Sequence, residues 1–256
     1  MLIGEINIKG IRTGNYSLIE KNTGKWYNLA EDTEIKVEWN ETTSVTIENE
    51  LKKGRIRVIK VDEENNQIKL QGVKFEVLDQ EKKVLETITT DEKGEAVTKR
   101  YPIRDYEKLY LKEVETNEFY KLNDELIEVE LEANQIKKII VGNEKKKGQI
   151  EVIKIDKDNK EVVIPNVTFE VYDEKGKIVD TMITDENGKS VSKLLPIDQE
   201  YTIKETKIEN EIYKLTEETQ KIILKEDKIT SITFENEKRK GQIKVIKTDG
   251  ETEVPL

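Results

Sequence analysis

Lys147-Gly148-Gln149-Ile150-Glu151-Val152-Ile153-Lys154-Ile155-Asp156 occurs in three versions in this 256-residue chain. It appears earlier as Lys53-Gly54-Arg55-Ile56-Arg57-Val58-Ile59-Lys60-Val61-Asp62 and later as Lys240-Gly241-Gln242-Ile243-Lys244-Val245-Ile246-Lys247-Thr248-Asp249. The glycines fall at 54, 148 and 241, so the period is 94 and then 93 residues. A period of that size marks a tandem array of whole domains, each with its own core, rather than a solenoid of small repeats.

The rest of the period reads as further strands. In the first full copy, residues 55–61 alternate as a strand, and residues 73–78 follow with Val73, Phe75 and Val77 on one face. Residues 83–89 make a third strand. Thr90-Asp91-Glu92-Lys93-Gly94 makes a turn whose glycine is free to take positive φ. Residues 95–100 come next, and Pro102 is expected to break pairing. Residues 109–115, 126–131 and 136–142 bring the count to about seven strands. The second copy matches: Val167 to Asp173 answers Val73 to Asp79, and Thr184 to Gly188 answers the turn. Pro196 answers Pro102, and Tyr201 to Glu205 answers Leu109 to Glu113. With no helical stretch of note, the expected fold is all-β: tandem antiparallel β-sandwich domains of the Ig-like topology class.

Both ends read as partial units. Gly4 corresponds to Gly94, residues 16–20 to 109–113, and residues 45–49 to 139–143, so residues 1–50 are the back half of the unit. Residues 239–256 are the first strand of a further unit and stop at Val254-Pro255-Leu256, where a second strand would begin. The expected division is 1–50, 51–145, 146–238 and 239–256, in a chain that is a segment of something longer. The junctions are short and carry no Gly/Ser spacer, which favours a semi-rigid string.

Composition narrows the function. Apolar residues are 35% and charged residues 38%, so the cores must be thin. The net charge of -10, without a sustained basic stripe, gives a nucleic-acid partner no electrostatic support. Lys145-Lys146-Lys147 is expected to be a solvated junction. There is no cysteine for a disulfide or a thiolate metal site, and no histidine for a Ser-His dyad or most zinc sites. Asp62, Asp156 and Asp249 read as turn formers, because no calcium-loop pattern accompanies them. No cofactor or metal is expected. No apolar stretch approaches the length of a membrane span, so no membrane insertion is expected in this segment.

Parity then singles out three polar residues per copy. Lys60 follows Ile56 and Val58 on one face of its strand, Glu113 follows Leu109 and Leu111, and Asn143 follows Ile139 and Val141. Lys154, Glu205 and Asn236 repeat the pattern in the second copy. Glu20 and Asn49 repeat two thirds of it in the first partial unit, and Lys247 the remaining third in the last. Ile59, Val61, Ile153 and Ile155 are also apolar, which leaves the face of the lysine strand less well defined. If the three meet in a core, burial drives the ammonium and the carboxyl toward their neutral forms. A neutral amine can attack the carboxamide carbon of asparagine while a neutral glutamic acid protonates and polarises the amide. The product is an amide between two side chains, with ammonia released.

The ordered set Lys-Gly-x-Ile-x-Val-x-Lys-x-Asp, Val-x-Phe-Glu-Val, Thr-Asp-x-x-Gly, Tyr-x-Ile-x-Glu-Thr and Phe-x-Asn-Glu resembles the Cna B-type, or SpaA-like, domains of Gram-positive surface proteins. The resemblance covers essentially the whole chain, as two full and two partial copies. It implies a prealbumin-like (transthyretin-like) β-sandwich. By position it also implies a Lys60–Asn143 isopeptide bond assisted by Glu113 and a Lys154–Asn236 bond assisted by Glu205. Glu20, Asn49 and Lys247 are left as orphan crosslink residues. The family's usual Ala-Pro-x-Gly-Tyr segment is replaced by residues 116–120 and 208–213, and its glycine at the second strand is Gly72 in one copy but Asn166 in the other.

Plainer readings stand beside these. Lys60 and Lys154 could be edge lysines that snorkel to solvent and discourage strand pairing. Phe75, Phe169, Tyr201 and Phe234 read as core, and Trp26 and Trp39 as packed against strands that precede this segment. The function the resemblance implies is structural: a non-enzymatic stalk segment of an adhesin or pilus-like protein. It would be extracellular and attached to the cell wall through parts of the parent not present here. Its partners would be neighbouring domains of the same longer chain. The alternative is an adhesive module that binds host extracellular matrix protein or glycan. Short, acidic and similar loops in both copies favour the stalk.

Overall fold

The computed structural model describes residues 4–248, 250 and 251. Asp249 and Val254-Pro255-Leu256 of the sequence reading lie outside the described residues. The chain divides into two compact units, Met1–Glu144 and Lys145–Leu256.

In the first unit, β1 (Gly14–Leu18) and β2 (Thr33–Val37) pair antiparallel by themselves. A sandwich follows, built from β3 (Lys53–Asp62), β4 (Lys74–Leu78), β5 (Val84–Thr89), β6 (Glu95–Val97), β7 (Tyr101–Pro102), β8 (Lys108–Glu115), β9 (Leu126–Glu130) and β10 (Ile136–Asn143). One sheet has the order β5-β4-β8-β9; in the other, β3 is paired by β10, β6 and β7. The second unit repeats the plan with β11 (Lys147–Asp156), β12 (Val167–Tyr172), β13 (Ile178–Ile183), β14 (Lys189–Val191), β15 (Leu195–Pro196), β16 (Glu200–Ile208), β17 (Thr219–Ile223) and β18 (Ile229–Asn236). Its sheets are β13-β12-β16-β17 and β11 with β14, β15 and β18.

Alternation makes the cores. Ile56 and Val58 of β3, Phe75 and Val77 of β4, and Leu109 and Leu111 of β8 are fully buried between the sheets, with Val141 of β10 beside them. Ile150, Val152, Phe169, Val171, Tyr201, Ile203 and Phe234 fill the second core. Each such side chain contributes about 1.5–3 kcal/mol by leaving water, so even a thin layer can offset the ordering of the chain. Buried hydroxyls complete the backbone pairing: Thr90 Oγ1 accepts from Val73 N at 3.0 Å, and Thr184 Oγ1 accepts from Val167 N at 3.0 Å.

The structure departs from the sequence reading in several places. The first and last strands of each sandwich run parallel, β10 on β3 and β18 on β11, within an otherwise antiparallel fold. A parallel pair needs a long crossover, and here the whole domain supplies it. Pro102 does not break pairing: it closes the short β7, opposite Lys53, and Pro196 does the same opposite Lys147. Ile59 and Val61 are buried along with Ile56 and Val58, so the back of β3 is covered too. Trp26 packs against the core of the first complete copy instead of an earlier one, whereas Trp39 is 84% exposed. The lysine run is not a free solvated junction, for Lys145 pairs with Asp198 at 2.7 Å and Lys146 with Glu226 at 2.9 Å. Gly72 and Asn166 both take left-handed φ, 78° and 56°, a region that asparagine tolerates better than most side chains; the substitution therefore leaves the turn intact.

Candidate functional site

The three polar positions of each copy converge. β3 carries Lys60, β8 carries Glu113 and β10 ends on Asn143; β11, β16 and β18 do the same for Lys154, Glu205 and Asn236. All six residues are at most 2% exposed. These lysines are therefore core residues, and the snorkelling reading does not hold for them. The parallel register sets Val141 beside Lys60 and Asn143 beside Asp62. Lys60 and Asn143 thus emerge on the same inner face, one pleat apart along the ladder.

Lys60 Nζ lies 2.8 Å from Glu113 Oε2 and donates to Asn143 Oδ1. Asn143 Nδ2 donates to Glu113 Oε1 at 2.6 Å. In the second copy, Lys154 Nζ lies 2.8 Å from Glu205 Oε2 and 2.6 Å from Asn236 Oδ1, and Asn236 Nδ2 donates to Glu205 Oε1 at 2.6 Å. Each carboxylate therefore bridges an amine and an amide nitrogen with its two oxygens. Burial holds the amines of Lys60 and Lys154 below the ordinary lysine range, against the opposing pull of Glu113 and Glu205. Aromatic carbon lines the pocket: the Phe75 ring stands 5.8 Å from Lys60 Nζ and the Phe234 ring 5.9 Å from Lys154 Nζ. A buried ion pair of this kind is a poor source of stability, which makes its recurrence notable on chemical grounds.

Local features that alternation does not reveal aim these groups. A bulge in β8 sets Phe75 opposite Glu113 while Lys74 pairs with Glu115, leaving Val114 as the extra residue. After the bulge, Thr116 faces inward, and its hydroxyl accepts from Asn143 Nδ2 at 2.9 Å. β16 has the same bulge at Thr206. The position answering Thr116 is Ile208, so only the first copy has this second acceptor. Behind each lysine sits the glycine turn: Lys60 N donates to the Gly94 carbonyl at 2.7 Å, and Lys154 N to that of Gly188 at 2.7 Å. Nothing in the sequence pattern alone pointed to Thr116. The return of Tyr120 and Tyr213 after the glutamates was a signal for the polar contacts they make.

The partial units do not complete a third site. Glu20 and Asn49 meet, with Asn49 Nδ2 donating to Glu20 Oε2 at 2.5 Å and to the Asn28 carbonyl at 2.9 Å. Lys247 is exposed, on a segment 241–247 without an assigned strand. Among the described residues, no acidic cluster is arranged to hold a metal ion, and no helix is long and apolar enough to cross a membrane.

The model for the prealbumin-like fold domain called SpaA matches residues 54–146 and again 148–238. The chain belongs to the SpaA prealbumin-like fold domain family. Its two SpaA domains contain the two triads. The TIE protein of Bacillus anthracis is 31% identical over 88% of this chain, with a TM-score of 0.65. The SpaA chain described here spans 42% of that structure. GBS52, the minor pilin of Streptococcus agalactiae, is 16% identical over 76% of this chain and all of its own, with a TM-score of 0.37. BcpA, the major pilin subunit of Bacillus cereus, is 14% identical over 73% of this chain and 100% of its own, with a TM-score of 0.32. Among curated proteins, none matches the chain.

Proposed function

We propose that this chain is a stalk segment of a Gram-positive surface or pilus-like protein. In this reading each complete SpaA domain is locked by a self-formed Lys–Asn isopeptide bond, Lys60–Asn143 in the first and Lys154–Asn236 in the second. The observation that carries the proposal is the buried bridge of Glu113 between Lys60 Nζ and Asn143 Nδ2, repeated by Glu205. Membership of the SpaA family, and short similar loops in both copies, support a spacer. The division 1–50, 51–145, 146–238 and 239–256 belongs to the same reading. So does an extracellular site, with neighbouring domains of a longer chain as the partners.

The chemistry uses only these side chains. Glu113 takes a proton from the Lys60 ammonium, for which burial has already lowered the cost of neutrality. The freed lone pair on Nζ attacks Asn143 Cγ, and the carbonyl π pair moves to Oδ1. Glu113 returns its proton to Nδ2, the Cγ–Nδ2 bond breaks, and ammonia leaves. The carboxylate is restored by that return, the carbonyl re-forms from Oδ1, and the extra proton on the new amide nitrogen passes through Glu113 to the departing ammonia, which leaves as ammonium. One C–N bond forms and one breaks, so no cofactor or oxidant is needed. The reaction consumes its own side chains and does not turn over.

Intact-mass measurement of the denatured chain tests this. The expected mass is lower than that of the sequence by two ammonia molecules. Lys60→Ala and Lys154→Ala are each expected to restore one. A wild-type mass equal to that of the sequence would overturn the reading.

A further inference from the structure

A second polar constellation recurs beside each triad, and the crosslinking chemistry does not use it. Tyr120 Oη donates to Asp62 Oδ2 at 2.8 Å, and Tyr213 Oη donates to Asp156 Oδ2 at 2.8 Å. All four residues are at most 5% exposed. The other oxygen of each aspartate forms the expected turn. Asp62 Oδ1 accepts from the amides of Glu64 and Asn65 at 2.9 and 2.8 Å, and Asp156 Oδ1 from those of Asp158 and Asn159 at 2.8 and 2.9 Å.

The backbone around each asparagine explains the arrangement. Glu63, the residue after Asp62, donates its amide to the Asn143 carbonyl at 3.0 Å. Lys121, the residue after Tyr120, donates its amide to the Glu144 carbonyl at 2.9 Å. The end of β10 is thus held between two arms, and the Tyr120–Asp62 hydrogen bond ties the arms together. In the second copy Lys157 holds the Asn236 carbonyl and Lys214 the Glu237 carbonyl, each at 3.0 Å, with Tyr213 and Asp156 as the tie. There Lys238 adds an ion pair to Asp156 Oδ2 at 2.8 Å. In the partial unit Tyr27 stands in the place of Tyr120, and Asn28 N holds the Glu50 carbonyl at 2.8 Å. Its hydroxyl instead accepts from Arg104 Nη1 at 3.2 Å. The loop arm therefore forms by itself, and the aspartate is what the lysine strand brings to it.

We propose that Asp62 with Tyr120, and Asp156 with Tyr213, are positioning residues for the crosslink. They fix the backbone of Asn143 and Asn236 so that Cγ stays within reach of the lysine amine. Attack on an amide carbon needs near-contact geometry, and small misplacement of an otherwise complete site is costly in rate. This inference rests on the crosslinking reading above.

Cell-free synthesis of the full chain, quenched in acid at intervals, tests it. The crosslinked peptide of each domain is quantified by mass spectrometry. Tyr120→Phe removes one oxygen from a side chain of unchanged shape. It is expected to slow bond formation in the first domain about tenfold, the equivalent of one charge-assisted hydrogen bond. The second-domain bond is the internal control, and Tyr213→Phe is expected to reverse the roles. Asp62→Asn can still accept turn amides and bond the phenol, so it is expected to be faster than Asp62→Ala. Hydrogen exchange of Tyr120→Phe in an Asn143→Ala background separates positioning from folding. Loss of protection confined to residues 120–123 and 142–144 supports the proposal, and loss across β4 and β5 overturns it. An unchanged rate for Tyr120→Phe also overturns it while leaving the crosslink intact. A wild-type chain that never loses ammonia overturns both.

Discussion

Gly94 and Lys60 touch through their backbones. The Lys60 amide donates to the Gly94 carbonyl at 2.7 Å, and a Cβ on Gly94 would stand 2.6 Å from the Lys60 carbonyl oxygen. Gly188 stands in the same relation to Lys154, at 2.7 Å. The glycine turn is therefore the floor on which the strand that carries Lys60 rests.

Gly94→Ala combines an unfavourable φ of 68° with that backbone clash. It is expected to destabilise the first domain by about 2–4 kcal/mol. Gly72→Ala shares the strain, at φ 78°, but meets nothing within 4 Å. Its expected cost is about 1–2 kcal/mol. Denaturant unfolding of the two variants compares them, and equal costs would refute the close-approach argument.

Glu113→Gln keeps the shape of the site and removes its proton carrier. The first-domain crosslinked peptide is expected to disappear from a digest while that of the second domain stays. Loss of the bond opens a loop of 83 residues. By analogy with a disulfide, the first domain is then expected to lose about 4–5 kcal/mol of stability. A digest that retains the first-domain crosslink would show that Glu113 is dispensable.

Asn143→Ala leaves Lys60 unbonded and titratable. Its folded-state pKa lies below the unfolded value because burial disfavours the ammonium. Between those two values the unfolded state binds more protons, so stability is expected to rise with pH through that window toward 10.5. Below the folded pKa the penalty is fully present. Urea unfolding across pH checks the sign, and a paired Lys60→Met change is expected to remove the slope. A fall in stability over the same window would contradict a depressed amine.

A single complete repeat is expected to show no saturable binding to host matrix protein or glycan in a solid-phase screen. Tight, saturable binding would favour the adhesive module over the stalk.

Much of this was legible in the residues because β-structure has a period of two. Ile56, Val58 and Lys60 had to share a face, and so did Leu109, Leu111 and Glu113, so the triad followed from parity and repetition. Parity fails where the ladder does. The bulge at Val114 turns Thr116 inward, and no alternation pattern marks it. The parallel pairing of β3 and β10 is also invisible to alternation, which is the same for either strand direction. Asp62 read as a turn residue, which it is, but its second oxygen meets Tyr120 across a separation of 58 residues. Pro102 misled because its missing amide matters only where the ladder needs a donor: Ile103 N donates to the Lys52 carbonyl at 3.0 Å, so Pro102, opposite Lys53, falls in the neighbouring non-hydrogen-bonded pair.

The parallel register has a mechanical corollary. β3 enters the first domain at Lys53 and β10 leaves it at Asn143, side by side and in the same direction. A pull along the string would shear this pair. With Lys60 joined to Asn143 as proposed, the load would run from Lys53 to Lys60, across the side-chain amide, and out. Residues 61–142 then bear no tension, so they are free to form an ordinary thin-cored sandwich. Without the joint, the chain between Lys60 and Asn143, a sequence separation of 83, could release about 270–300 Å of slack per domain. The proposed joint would thus turn an extensible tether into one of nearly fixed length.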